Sequence, residues 1–131
     1  MIDEKYYLYA VEQMDRAKRE KKKYNGWKDK ADRVCFYTGR PYAERHEVFP
    51  GRPNRQISIA HGFQVDLCPE KHRELQENIT PWAKAENQKW RETYEQLYID
   101  EQIDECVSAN DALESWMQLI GRNYIEELTP K

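Results

Sequence analysis

The sequence is short of the devices that stabilise secreted or membrane-bound proteins. It has three cysteines, an odd number, and so offers no complete disulfide framework. No apolar run approaches the roughly 20 residues a helix needs to cross a bilayer. The opening Met1-Ile2-Asp3-Glu4-Lys5 lacks the apolar stretch of a signal peptide. These absences predict a cytoplasmic protein with no membrane partner. Internal repeats and low-complexity tracts are also missing, and 131 residues suffice for one domain and one core.

Aromatic residues are plentiful, with nine tyrosines and four tryptophans. Such a content argues against disorder, because aromatic side chains carry much of the burial energy in a small core. The net charge of −3 conceals an uneven distribution. Residues 1–69 hold 14 Lys/Arg against 10 Asp/Glu, whereas residues 70–131 hold 7 against 14. The first half suits a phosphate-bearing partner and the second repels one. The run Arg16-Ala-Lys-Arg-Glu-Lys-Lys-Lys23 reads equally well as a solvated helix end, and a pI near 5.7 is a poor footprint for tight nonspecific DNA binding.

Tyr7, Val11 and Met14, flanked by Ala10 and Ala17, predict a helix over residues 3–23 that stops at Asn25-Gly26. Residues 34–37 predict a short strand entering a turn at Thr38-Gly39-Arg40-Pro41. A second strand is expected over residues 45–49, followed by a loop through Pro50-Gly51-Arg52-Pro53-Asn54. Phe63 to Leu67 alternates like a half-buried strand, and Pro69 opens a helix reaching Asn78. Pro81 begins a long helix to about Asp104 with Trp90, Tyr94 and Leu97 on one face. Ser108 or Asn110 caps a last helix carrying Leu113, Trp116, Met117 and Ile120, with Gly121 as its stop. The Trp and Tyr stripe is read as core rather than as a platform for bases.

Candidate ligands crowd between Cys35 and His72. The series Cys35…His46-Glu47-Val48-Phe49…Asn54-Arg55…Leu67-Cys68-Pro69-Glu70-Lys71-His72-Arg73 resembles the small HNH endonucleases common in phages and prophages, which carry a ββα-metal core. The end of the chain, Leu119-Ile120-Gly121-Arg122-Asn123-Tyr124-Ile125, is also similar to that group's usual end. The resemblance implies an α+β fold, mostly helical, in one domain. A basic N-terminal helix (1–30) and C-terminal helices (81–131) would flank an HNH-like core (34–78).

It further implies phosphodiester hydrolysis of DNA with a divalent cation, Mg²⁺ or Mn²⁺, that polarises the scissile phosphate. His46 and His72 take the metal-ligand positions, and Asn54 that of a loop- or phosphate-steadying residue. Arg45, Arg55 and Arg73 are the candidate phosphate contacts. Glu47 stands where many members keep the general-base histidine; an ordinary glutamate titrates near 4.3 and is a weak base at neutral pH. Cys35 and Cys68 are what remains of a structural zinc knuckle. Thr38 and Lys71 occupy its other positions, so a bound zinc is not expected unless His61 or Glu70 stands in. Packing by Phe36, Tyr37, Tyr42 and Phe49 must then hold this region. Cys106, outside the frame, is expected to be buried.

Two functions stay open at this point. One is a metal-dependent nuclease of phage origin, working in the host cytoplasm. The other is a catalytically degenerate HNH-fold module that contacts nucleic acid or blocks a host defence protein, helped by its acidic half. A packaging accessory, with the long helix pairing with its own copy, is the blandest alternative. The nuclease reading requires the imidazoles of His46 and His72 to converge.

Overall fold

The computed structural model describes residues 2–20 and 32–125. The predicted helix end at residues 21–23 and its Asn25-Gly26 stop lie outside the described residues. Ala10, Gln13, Met14 and Ala17 recur at helical spacing and are the buried face of α1 (Glu4–Glu20). Lys18 and Arg19 stand in its last turn, where the helix dipole favours cations.

The chain then enters a tight reversal. Residues 34–37 do not form the expected strand: Val34 makes one bridge to Pro41, and Gly39 N–H closes a turn on the Cys35 carbonyl at 2.8 Å. Next comes β1 (Glu44–Glu47), which pairs antiparallel with β2 (Gln64–Leu67). Their register sets Glu44 against Leu67, Arg45 against Asp66, His46 against Val65 and Glu47 against Gln64. Strand alternation puts Glu44, His46, Val65 and Leu67 on one face and the other four residues on the opposite face.

Between the strands runs α2 (Arg52–His61), which begins within the loop expected over residues 50–54. Pro53 sits in its first turn, where a missing N–H costs nothing, so the Gly-x-Pro signature marks a helix start here rather than a loop. The helix stops at Gly62, whose φ of +79° only glycine adopts without strain. A β-carbon at that position would lie 2.5 Å from the Gln13 carbonyl oxygen of α1. Gly62 therefore sets how closely α1 approaches the sheet.

Cys68 and Pro69 start α3 (Pro69–Glu77), and Asn78 ends it in the left-handed conformation. Thr80 and Ser108 cap α4 (Pro81–Asp104) and α5 (Ala109–Leu119), each accepting from a backbone N–H three residues on. The chain is thus α+β and mostly helical, a single small domain of five helices and a two-stranded sheet among the described residues. None of those helices is long and apolar enough to cross a membrane.

Trp90, Tyr94, Trp116, Phe49, Phe63 and Leu67 fill the core, so the aromatic stripe is core as expected. Three side chains lie elsewhere than the sequence suggested. Tyr42 is 62% exposed, because its positive φ turns it out of the reversal; Met117 is 38% exposed at the edge of its helix stripe. Cys106 is exposed, since α4 ends there in a left-handed residue instead of continuing into the core. After α5 the chain folds back over α4. Trp116 Nε1 donates to the Arg122 carbonyl at 2.9 Å, and Gln88 Nε2 donates to that of Tyr124 at 3.0 Å.

Candidate metal centre

β1 carries His46 on the face that α3 covers, and the first turn of α3 carries His72. The two rings meet edge to face with centroids 5.2 Å apart. Two residues separated by 26 positions therefore share one point in space. His46 is nearly inaccessible, and its Nε2 has no hydrogen-bond partner. Burial, then the His72 imidazole and the Arg91 guanidinium, push the His46 pKa down to about 3. The ring is thus neutral at any ordinary pH, the form in which imidazole binds a metal.

His72 is oriented from behind. Its Nδ1 lies 2.8 Å from Glu44 Oε1. A carboxylate only accepts, so Nδ1 carries the hydrogen and the ring is turned with Nε2 away from Glu44. The pair offers two imidazole nitrogens, a donor type that suits a divalent cation. Among the described residues, no cluster of three or more His, Cys, Asp or Glu side chains gathers as a closed metal cage.

The other proposed site residues occupy different places. Glu47 is on the opposite sheet face from His46, and its carboxylate accepts from Arg55 Nε at 3.1 Å and Gln64 Nε2 at 3.4 Å. Arg45 pairs with the buried Asp66 at 3.3 Å on that same face. Burial raises the Asp66 pKa, an effect opposed by Arg45, Arg16 and Arg33. Asn54 Nδ2 donates to the Ile120 carbonyl at 3.2 Å, tying α2 to the end of α5. Arg73 is exposed on α3.

Cys35 and Cys68 are both buried and share a small cluster with Ala43. Burial raises the Cys35 thiol, but hydrogen bonds from the Thr38 hydroxyl and from the backbone amides of Cys68, Thr38 and Tyr37 outweigh it and leave the pKa below the usual value. Lys71 reaches away, its ammonium 4.3 Å from the centroid of the Trp82 ring. Glu70 pairs with Arg40 at 2.8 Å, and His61 stacks on Phe63 at the far end of α2.

The sequence reading did not anticipate two neighbours of the imidazole pair, Glu44 and Arg91. Glu44 was legible once His46 was placed on a strand, because a residue two positions earlier shares its face. Arg91 carried no such signal, since its proximity comes from the packing of α4. No protein-family model, curated protein or solved structure matches this chain.

Proposed function

We propose that the chain is an HNH-like protein of the phage type that hydrolyses DNA phosphodiesters with a divalent cation. The convergence of His46 and His72, with an unpartnered buried nitrogen on the first, supports this reading. An orphaned buried polar atom is costly unless something uses it, and a metal ion uses a neutral imidazole nitrogen. A bound cation would supply Lewis-acid stabilisation of the phosphate and the leaving oxygen. His46 and His72 would hold it, with Glu44 orienting the His72 ring through its Nδ1. Two nitrogen donors suit Mn²⁺ better than Mg²⁺.

The test is nicking of a supercoiled plasmid by purified protein in Mn²⁺ or Mg²⁺, with loss of activity in His46→Ala. Absence of cleavage across both metals, and across single- and double-stranded substrates, removes the nuclease reading.

One observation favours the second reading. Glu47, the residue standing at the general-base position, is engaged by Arg55 and Gln64 on the other face of β1. A module that kept the ββα shape without a working base would contact nucleic acid or a host protein without cutting. Mn²⁺ retention with salt-sensitive heparin binding supports the enzyme. A metal-free protein that passes through heparin and binds an anion exchanger supports a module directed at a host protein.

A further inference from the structure

Arg91 is a half-buried guanidinium on α4 with no carboxylate partner among the described residues. Its Nε donates to the Val48 carbonyl at 3.2 Å, two residues beyond His46 on the same strand end. Its own burial and the neighbouring Arg122 guanidinium both lower its pKa. Arg122 is a second cation on the same ring: the Arg91 and Arg122 guanidiniums lie 5.9 and 5.0 Å from the Tyr124 centroid. Neither arginine has an ion pair among the described residues.

The arrangement is unfavourable by itself. Two like charges are brought to one aromatic ring, and one of them is partly desolvated without an acid to repay the cost. The fold nevertheless holds this ring in place from both sides. Glu95 Oε1 accepts from the Tyr124 backbone N–H at 2.7 Å, and Gln88 Nε2 donates to its carbonyl. Cation–π contact stabilises each guanidinium but does not neutralise it. What would neutralise both is an anion, and Arg91 is held to the backbone carbonyl two residues beyond His46.

We infer that Arg91 and Arg122 form a clamp for a phosphodiester group of a nucleic-acid backbone, with Tyr124 as its floor, beside the His46–His72 pair. This rests on the nuclease reading for the identity of the anion. Arg91 is then a positioning residue that seats a phosphate next to the imidazoles, and Arg122 extends the track along the folded-back chain end. A planar guanidinium suits the task because it presents a forked donor set to phosphate oxygens.

The experiment is fluorescence anisotropy with a labelled DNA duplex of about 16 base pairs, titrated between about 50 and 200 mM salt. It compares wild type with Arg91→Gln, Arg122→Gln and Arg91→Lys. Arg91→Gln keeps an N–H for the Val48 carbonyl and so guards against a folding defect. Each Gln substitution is expected to weaken binding about tenfold and to reduce the slope of log K against log[salt] by roughly one. Arg91→Lys should recover part of the affinity.

Mn²⁺ binding, followed by electron paramagnetic resonance, separates this inference from the nuclease reading. Intact Mn²⁺ binding with wild-type affinity and slope in both Gln variants overturns the clamp and leaves the metal site. Arginine-dependent DNA binding in a protein that takes no Mn²⁺ keeps the clamp and removes the nuclease. A wild type that fails to bind the duplex at about 50 mM salt, with Mn²⁺ present, overturns the clamp outright.

Discussion

Glu95 is the carboxylate whose ionisation the fold most directly controls. It lies within α4 with no accessible surface; one oxygen accepts the Tyr124 N–H and the other has no partner. Burial raises its pKa from 4.5 to about 7, with the Tyr124 amide opposing and Glu92 adding to the rise. Between those two values the folded chain keeps a proton that the unfolded chain releases. The stabilisation linked to that proton is therefore complete below about pH 4.5 and is lost as pH rises through about 7. Glu95→Gln mimics the protonated form and keeps an acceptor for Tyr124. Its stability relative to wild type should grow from near zero at about pH 5 to on the order of 2–3 kcal/mol at about pH 8. Urea denaturation at both pH values measures this, and a difference that does not change with pH contradicts it. Glu44 sets a second residue-scale expectation. Glu44→Gln leaves both imidazoles in place but loosens the tautomer of His72, so Mn²⁺ affinity should fall about 10- to 100-fold. Calorimetric titration giving the wild-type affinity would mean that Glu44 does not orient a ligand.

At the scale of elements, the sequence was most readable where local chemistry and tertiary packing agree. Gln64 to Leu67 forms the expected strand, although it is buried on both faces rather than half-buried, and Pro69, Thr80-Pro81 and Ser108 start helices where their backbone preferences place them. The α2 segment was misread because Pro50, Gly51 and Pro53 in close succession look like a loop. Its apolar stripe is also thin: Ser58 is its buried residue, while Ile57 and Ile59 are half-buried. Packing of α2 near α1, with Gly62 as the close approach, supplies what the local pattern lacks. Of the candidate site, the imidazole pair was readable from the family resemblance, but the partners of Glu47, Arg45 and Asn54 were not. Strand facing and the fold-back of the chain end decide those, and neither is a local property. Gly62→Ala tests the close approach. It forces a β-carbon into the Gln13 carbonyl and a strained φ, and should cost roughly 2–4 kcal/mol. Gly39→Ala is the control, because Gly39 also has a positive φ but nothing within 4 Å of an added β-carbon; it should cost about 1 kcal/mol. Equal losses in thermal or chemical denaturation would mean that the α1 contact carries no energy.

At the scale of the whole molecule, the uneven charge of the sequence becomes a packing arrangement. α1, whose basic residues gather in its last turns, lies along acidic α4, with Lys18 3.3 Å from Glu101 and the Tyr7 hydroxyl donating to Asp100 at 2.9 Å. The same two helices trap the reversal that carries Cys35. Trp90 Nε1 donates to the Tyr37 hydroxyl at 2.8 Å, Tyr37 donates to Glu86 Oε1 at 2.8 Å, and Tyr6 donates to that same oxygen. Phe36 packs edge-on against Tyr6, Tyr9, Tyr37 and Trp90. One carboxylate thereby joins α1, the reversal and α4 at the place where a zinc knuckle would use metal. If this network is the fastening, removing metal should leave the fold unchanged and removing the acceptor charge should not. Melting of the purified protein is expected to be the same with and without EDTA. Glu86→Gln should lower stability by roughly 2 kcal/mol, because two hydroxyl donors lose a charged acceptor. A double-mutant cycle with Tyr6→Phe should return a coupling of about 1 kcal/mol, since the two groups share one bond. A fold that melts much earlier in EDTA, with Glu86→Gln near neutral, would assign the fastening to a metal on Cys35 and Cys68 instead.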